Sequence, residues 1–151
     1  MAQSTALVNG VASTVSLKVA SGSYVDISGS SMSVSAATAT VATSDSYTLD
    51  GANAVILTGK FEPVDVTVNI YYTEVTSTEA FMLAQGAFAA KSTVQLKWVP
   101  KGAASGANTI ETAASGYITS IDYPEVDASK PDALAVSFTI RCPGITYTDV
   151  A

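Results

Sequence analysis

Apolar residues recur at every second position from Val64 to Tyr72. Val64, Val66, Val68, Ile70 and Tyr72 alternate with Asp65, Thr67, Asn69, Tyr71 and Thr73. A helix would scatter these side chains around its axis, whereas a strand puts one set on each face. The same spacing returns at Val11, Val15, Leu17 and Val19, at Val94, Leu96 and Trp98, and at Leu134, Val136, Phe138 and Ile140. Shorter runs at residues 24–27, 109–113 and 117–121, with turn residues between them, bring the expectation to eight or nine strands. The chain is therefore read as mainly β, an antiparallel β-sandwich or barrel, in a single domain over residues 1–151.

One segment breaks the period-two pattern. Thr76-Ser77-Thr78-Glu79 has the spacing of a capping box, with Thr76 as N-cap and Glu79 at N3. Phe81, Ala84 and Phe88 then fall on one helical face. A single α-helix is predicted over residues 76–90, flanking the sheet.

Composition narrows the function. The chain has no histidine and one cysteine, which excludes histidine-dependent catalysis, an internal disulfide and a Cys-based zinc site. Seven lysines and arginines against 13 acids, a net charge of −6, do not make a nucleic-acid-binding surface. Charged residues are only 13% of the chain and hydrophobic residues 48%. Charge depletion of this kind marks surfaces buried against partners, so assembly is favoured over a monomer. Residues 1–6 carry no cation, and no secretory signal is expected. The longest charge-free run, residues 27–44, is studded with Ser, Thr and Gly and does not read as a membrane span. Cys142 is expected to be a reduced, buried thiol in a protein made in the cytoplasm.

Residues 28–53 are extended, weakly hydrophobic and poor in charge. Alone they bury too little to offset their ordering entropy. They read either as an arm that orders against a partner or as a surface loop. Asp50-Gly51 within them is a tight-turn signal. Between Lys18 and Lys91 lie seven acids and one cation, Lys60. This is either ordinary solubility charge or an acidic surface that keeps a polyanion from sticking.

No catalytic set can be assembled. Ser-x-x-Lys, Gly-x-Ser-x-Gly and phosphate-binding glycine loops are absent. Asp122, Glu125, Asp127 and Asp132 crowd one loop without the calcium-loop pattern. No catalytic, cofactor or metal residues are assigned, and no enzyme activity or cofactor is expected. Tyr47, Asp50, Tyr71, Tyr72 and Trp98 are the candidate assembly-interface residues, on the interface enrichment of aromatics and the exposed turn.

The order and texture of the segments resemble the major tail tube proteins of tailed bacteriophages, of the long-tailed, non-contractile type. Phe61-Glu62-Pro63-Val64-Asp65-Val66-Thr67-Val68-Asn69-Ile70-Tyr71-Tyr72 precedes a helix at Ala80-Phe81-Met82-Leu83. Val94-Gln95-Leu96-Lys97-Trp98 is similar to that family's post-helix strand. Gly116-Tyr117-Ile118-Thr119-Ser120-Ile121 and Ala135-Val136-Ser137-Phe138-Thr139-Ile140 resemble its closing strands. The resemblance implies hexameric rings stacked into a hollow tube in the virion tail, through which double-stranded DNA is ejected. It implies tape-measure, tail-terminator and tail-tip proteins as partners, no membrane, and residues 28–53 as an inter-ring arm. On that picture Asp65 and Glu111, on polar strand faces, are the lumen-facing acidic candidates. Two other readings stand beside it: a secreted or surface β-sandwich that binds carbohydrate or acts as an adhesin, and another phage ring protein, such as a tail terminator or head decoration.

Overall fold

The structure is a computed structural model describing residues 7–35, 37–103 and 106–149. The expectation about a leader in residues 1–6 lies outside them. Eleven strands and one α-helix follow one another among the described residues. Strand β1 (Thr14–Val19) and strand β7 (Thr93–Val99) pair antiparallel along their whole length, with Val15 opposite Trp98, Leu17 opposite Leu96 and Val19 opposite Val94. This register collects both apolar sets on one face, as the alternation requires. Strand β2 (Val25–Asp26) pairs with β1 at Ser16 and Leu17, and the Ile27 N–H just beyond it donates to the Val15 carbonyl at 2.9 Å.

β7 forks on its other edge. Its end carries β8 (Thr109–Thr112), which pairs in turn with β11 (Ile145–Thr148). Its start carries β9 (Gly116–Ile121), followed by β10 (Ala135–Cys142), β6 (Val64–Tyr71) and β3 (Ser31–Val34). The nine-stranded sheet therefore folds over on itself around one core. Val66, Val68, Ile70, Leu17, Leu96, Phe138 and Ile140 are all buried there. A register shift between Thr139 and Ile140 bends β10 against β9. The fork is tight at Gly116: a Cβ there would lie 3.1 Å from the Val94 oxygen and 3.2 Å from the Cys142 Cβ, so a larger residue would push its neighbours aside.

The ladder between β7 and β8 covers only Lys97–Glu111 and Trp98–Ile110. The next N–H, on Leu96, donates instead to the buried Thr112 hydroxyl at 2.9 Å. Thr112→Val removes that acceptor while keeping the shape. The expected cost is about 1–3 kcal/mol, because a buried N–H is left unsatisfied. A urea melt showing an unchanged midpoint would contradict this role.

The helix, α1, spans Ala80–Ala90. It starts later than the capping-box spacing predicts, and the box does not form. Glu79 occupies the cap position without a side-chain cap bond. Its carboxylate accepts from the Thr73 hydroxyl at 2.6 Å, which draws it toward the end of β6, and the Thr76 and Thr78 hydroxyls bond one another. The helix closes at Lys91, which adopts a left-handed backbone with φ 52°. Ala80, Phe81, Ala84 and Ala87 are its buried face. Tyr72 packs edge-on against Phe81 with ring centroids 5.0 Å apart, and Tyr123 does the same from the other side at 6.0 Å.

The segment expected as an arm divides in two. Ser31–Val34 belongs to the body, as β3 on the edge of β6. Backbone pairing holds it there, with the Ser35 N–H donating to the Thr67 carbonyl and the Tyr71 N–H to the Ser30 carbonyl, each at 2.8 Å, and hydroxyls add to it: the Thr67 N–H donates to Ser35 Oγ and the Asn69 amide to Ser33 Oγ, each at 2.9 Å. The part that stands away from the main sheet is a separate ribbon of β4 (Val41–Ser46) and β5 (Val55–Phe61). The ribbon therefore extends past residue 53, because the apolar run Val55-Ile56-Leu57 lies in it and not in the core.

Candidate assembly surface

The β4–β5 ribbon has no sheet neighbour among the described residues. Its register puts Ser44 opposite Leu57, Asp45 opposite Ile56 and Ser46 opposite Val55. Apolar side chains therefore project from both faces of the same ribbon. Ile56 is 68% exposed, Phe61 79% and Tyr47 78%, and Leu49 at the tip is fully exposed. An isolated two-stranded ribbon is marginal in water, and its two free edges are templates for pairing. A run of exposed apolar residues on such a ribbon marks an interaction surface. Asp50 is also exposed, in the eight-residue connection 47–54 that forms the tip.

The remaining candidates are dispersed. Tyr71 ends β6 with its side chain exposed. Tyr72 is half-buried against the helix, and its phenol bonds Glu74, which holds the hydroxyl's pKa above its ordinary value. Trp98 is half-buried and packs against the core. Tyr72 and Trp98 thus pack in part within the subunit and keep part of their surface exposed.

Asp65 and Glu111 are not brought together: β7, β9 and β10 separate their strands. Each faces a cation across its ladder. Arg141 stands opposite Asp65, with Nη1 2.9 and 3.1 Å from the two carboxylate oxygens. Lys97 stands opposite Glu111. The acids between Lys18 and Lys91 are spread over several elements. Asp26 accepts from the Ser28 hydroxyl and N–H, which hold its carboxyl below its usual range. Glu62 accepts from Thr40, Glu79 from Thr73, and Asp45 and Asp50 ride on the ribbon. Both partners of the Asp65–Arg141 pair are about half exposed. Arg141→Ala is therefore expected to cost under about 1 kcal/mol, and the difference should vanish in high salt. Thermal melts of both proteins with and without salt check this.

Sequence reading missed the surroundings of Tyr24. Lys97 Nζ lies 4.1 Å and Lys18 Nζ 5.7 Å from its ring centroid. Its hydroxyl is buried and makes no hydrogen bond among the described residues. Burial first, and the Glu111 charge second, push its pKa up to about 12. Register alone brings these residues together. Cys142 is buried, with its thiol over the Val64 and Gly144 carbonyls, and burial pushes its pKa up. No cluster of metal-ligating side chains is found among the described residues. None of the described helices is long and apolar enough to cross a membrane.

One sizeable cavity opens between β1 and β3. It measures about 610 Å³ and is lined by Val11, Val15, Met32, Val34, Trp98 and Pro100, with four serines and Gly10 completing the wall. Beside it Gly102, at φ 70°, lies so close to Ala12 that a Cβ would stand 2.0 Å from the carbonyl oxygen, which fixes the loop after Pro100 against the cavity rim.

No protein-family model matches the chain, and no curated protein matches it. Solved structures do match over nearly the whole length. A chain of the anti-feeding prophage baseplate, solved with 6-fold symmetrisation, superposes with a TM-score of 0.73 at 10% identity, covering 99% of both chains. A chain of the sheath–tube complex of an extracellular contractile injection system gives 0.68 at 13% identity, covering 99% of this chain and 100% of that one. A chain from the tail of a gene transfer agent particle, refined helically with C6 symmetry, gives 0.66 at 15% identity, covering 95% of this chain. The non-contractile type expected from the sequence finds no support in these matches, one of which belongs to a contractile injection system. The chain is a mainly antiparallel β protein with one helix, and its fold is the one shared by these components of phage-like tails and injection systems.

Proposed function

We propose that this chain is a structural, non-enzymatic subunit of a phage-like tail tube. Copies close into six-membered rings, and the rings stack into a hollow tube through the β4–β5 ribbon. The observation that carries the reading is the ribbon itself: two strands with no sheet neighbour among the described residues, apolar on both faces, on a body that is otherwise well packed. The full-length likeness to a chain of a sheath–tube complex supports the same conclusion. Tyr47, Asp50, Tyr71, Tyr72 and Trp98 are the proposed contact residues, and Asp65 and Glu111 the proposed lumen residues, each with a cation opposite. A wall of balanced charges neither traps nor strongly repels a passing polyanion. The cargo proposed is double-stranded DNA, the location a virion tail, and the further partners tape-measure, terminator and tip proteins.

A second reading has its own support. A chain of the tube-terminating cap of the anti-feeding prophage superposes with a TM-score of 0.71 at 12% identity. A terminator would form single rings. Negative-stain electron microscopy across a concentration series separates the two. Hollow tubes of uniform width are expected; rings that never stack favour the terminator, and compact monomers at every concentration overturn both.

A further inference from the structure

We propose that the ribbon is a strap jointed at Pro63, and that seating Phe61 in a cavity at the ribbon's root fixes the angle at which it meets the next copy of this chain. The pairs β3–β6 and β4–β5 are two lengths of one hairpin in one register. Val34 stands opposite Val68, and Val41 opposite Phe61. The second pair lies seven residues on in one strand and seven back in the other, so neither strand carries an insertion. The ladder nevertheless lapses between the two lengths: residues 37–40 and 62–63 are not in strand. Pro63 accounts for the lapse. In the shared register it falls opposite Ala39, and it has no N–H to donate. Val64 and Val66 keep β10 as their neighbour and have no ladder partner on the other side among the described residues. One rung crosses the gap, the Glu62 N–H donating to the Thr40 carbonyl at 2.9 Å. Hinges are made of a few element-terminal residues of this kind.

A second cavity lies at this joint. It measures about 150 Å³ and is lined by Ala39, Phe61, Val64, Pro143, Gly144 and Ile145, with Thr40 and Glu62 completing the wall. An apolar cavity of about this volume accepts a benzene ring. Phe61, the last residue of β5, borders the cavity while 79% of its surface is exposed. Its side chain is therefore beside the hole and mostly in water. Phe61 is two residues from Pro63, so a small turn at the joint carries the ring inward. Removal of the ring from water drives the movement. The facing wall, Pro143 to Ile145, joins β10 to β11. A seated Phe61 thus ties the ribbon to the body at a second place. The strap has two positions: released, with Phe61 in water, and seated. Its effect on stacking rests on the assembly reading, whereas the pivot belongs to the single subunit.

The test begins with the free full-length subunit. Nitroxide labels on Leu49→Cys at the ribbon tip and Ala89→Cys on the helix report the ribbon's angle by pulsed electron paramagnetic resonance. Native Cys142 is 2% exposed and stays unlabelled. Two distance populations are expected. Phe61→Ala should abolish the seated one. Gly144→Leu should do the same by filling the cavity, and the fold tolerates it, since a Cβ on Gly144 meets nothing within 4 Å. Pro63→Thr returns the missing donor and should leave a single population. One distance in the parent chain, or two that survive any of these substitutions, overturns the joint and its latch. Assembly of unlabelled chains supplies the second arm. Phe61→Ala and Gly144→Leu should each raise the concentration needed for tubes about tenfold or more, and the double variant should be no worse than either alone. Additive losses, or normal assembly by Gly144→Leu, overturn the latch while leaving the tube reading intact. Absence of tubes from the unmodified chain overturns the tube reading, and the label distances still decide the pivot.

Discussion

Replacing residues 41–61 by a two-glycine turn is expected to yield a folded subunit that no longer forms tubes. The ends left by the deletion already touch. The Glu62 N–H donates to the Thr40 carbonyl at 2.9 Å, and the Thr40 hydroxyl donates to the Glu62 carboxylate at 2.8 Å. None of the buried core residues lies between them. Closing a shorter loop changes the entropy of the unfolded chain only slightly, so stability should move by no more than about 1 kcal/mol. Assembly should be lost outright, since every exposed apolar side chain of the ribbon goes with it. Circular-dichroism melts and electron microscopy of the same preparation check both halves. Tubes of normal width from the shortened chain would remove the ribbon from the assembly mechanism. A deletion of residues 31–50, suggested by the sequence boundaries, is expected to behave differently. It takes β3 off the edge of β6 and should destabilise the body, which would confuse loss of folding with loss of stacking.

Phe138→Ala should have the largest effect on stability. Phe138 is 1% exposed and sits in β10 between Val68 on one neighbouring strand and Ile121 on the other. Removing its ring leaves a cavity that the flanking strands cannot close, because their ladders run on both sides of it. The expected loss is about 3–5 kcal/mol. For a domain of this size that lowers Tm by roughly 6–20 °C. Assembled material should lose less than free subunits, because association selects the native state. A fall in Tm of less than about 2 °C for the free subunit would show that the two halves of the sheet do not share this core.

The legible parts of the fold are those where large apolar side chains alternate. β6, β7 and β10 follow from Val66, Leu96 and Phe138 and their neighbours, since a buried sheet face demands period two. β3 is not legible in the same way, because its residues are Ser31, Met32, Ser33 and Val34 and its attachment runs through backbone pairing with β6, supplemented by hydroxyls. Val55-Ile56-Leu57 reads as an apolar run whatever its environment, and only the fold shows that it stands outside the body. The capping box illustrates a local signal overridden. Thr73, six residues before Glu79, takes the carboxylate that the spacing assigned to the helix end. Tyr72 and Trp98 carry the same composition signal as Tyr47, yet two of the three pack inward.

The sequence by itself determined the class of the protein: mainly antiparallel β with one helix, without the residues for histidine, zinc or disulfide chemistry, and too poorly charged to bind nucleic acid tightly. These follow from residue type and nearest spacing, which act within a few residues of the chain. The tertiary structure alone decided which segments project and which charges meet. Asp65 and Arg141 are 76 residues apart, Lys97 reaches Tyr24 from a different strand, and the cavity draws its wall from Val11, Met32 and Trp98. Such neighbours are set by strand order and register, and those depend on how all the apolar faces are buried at once.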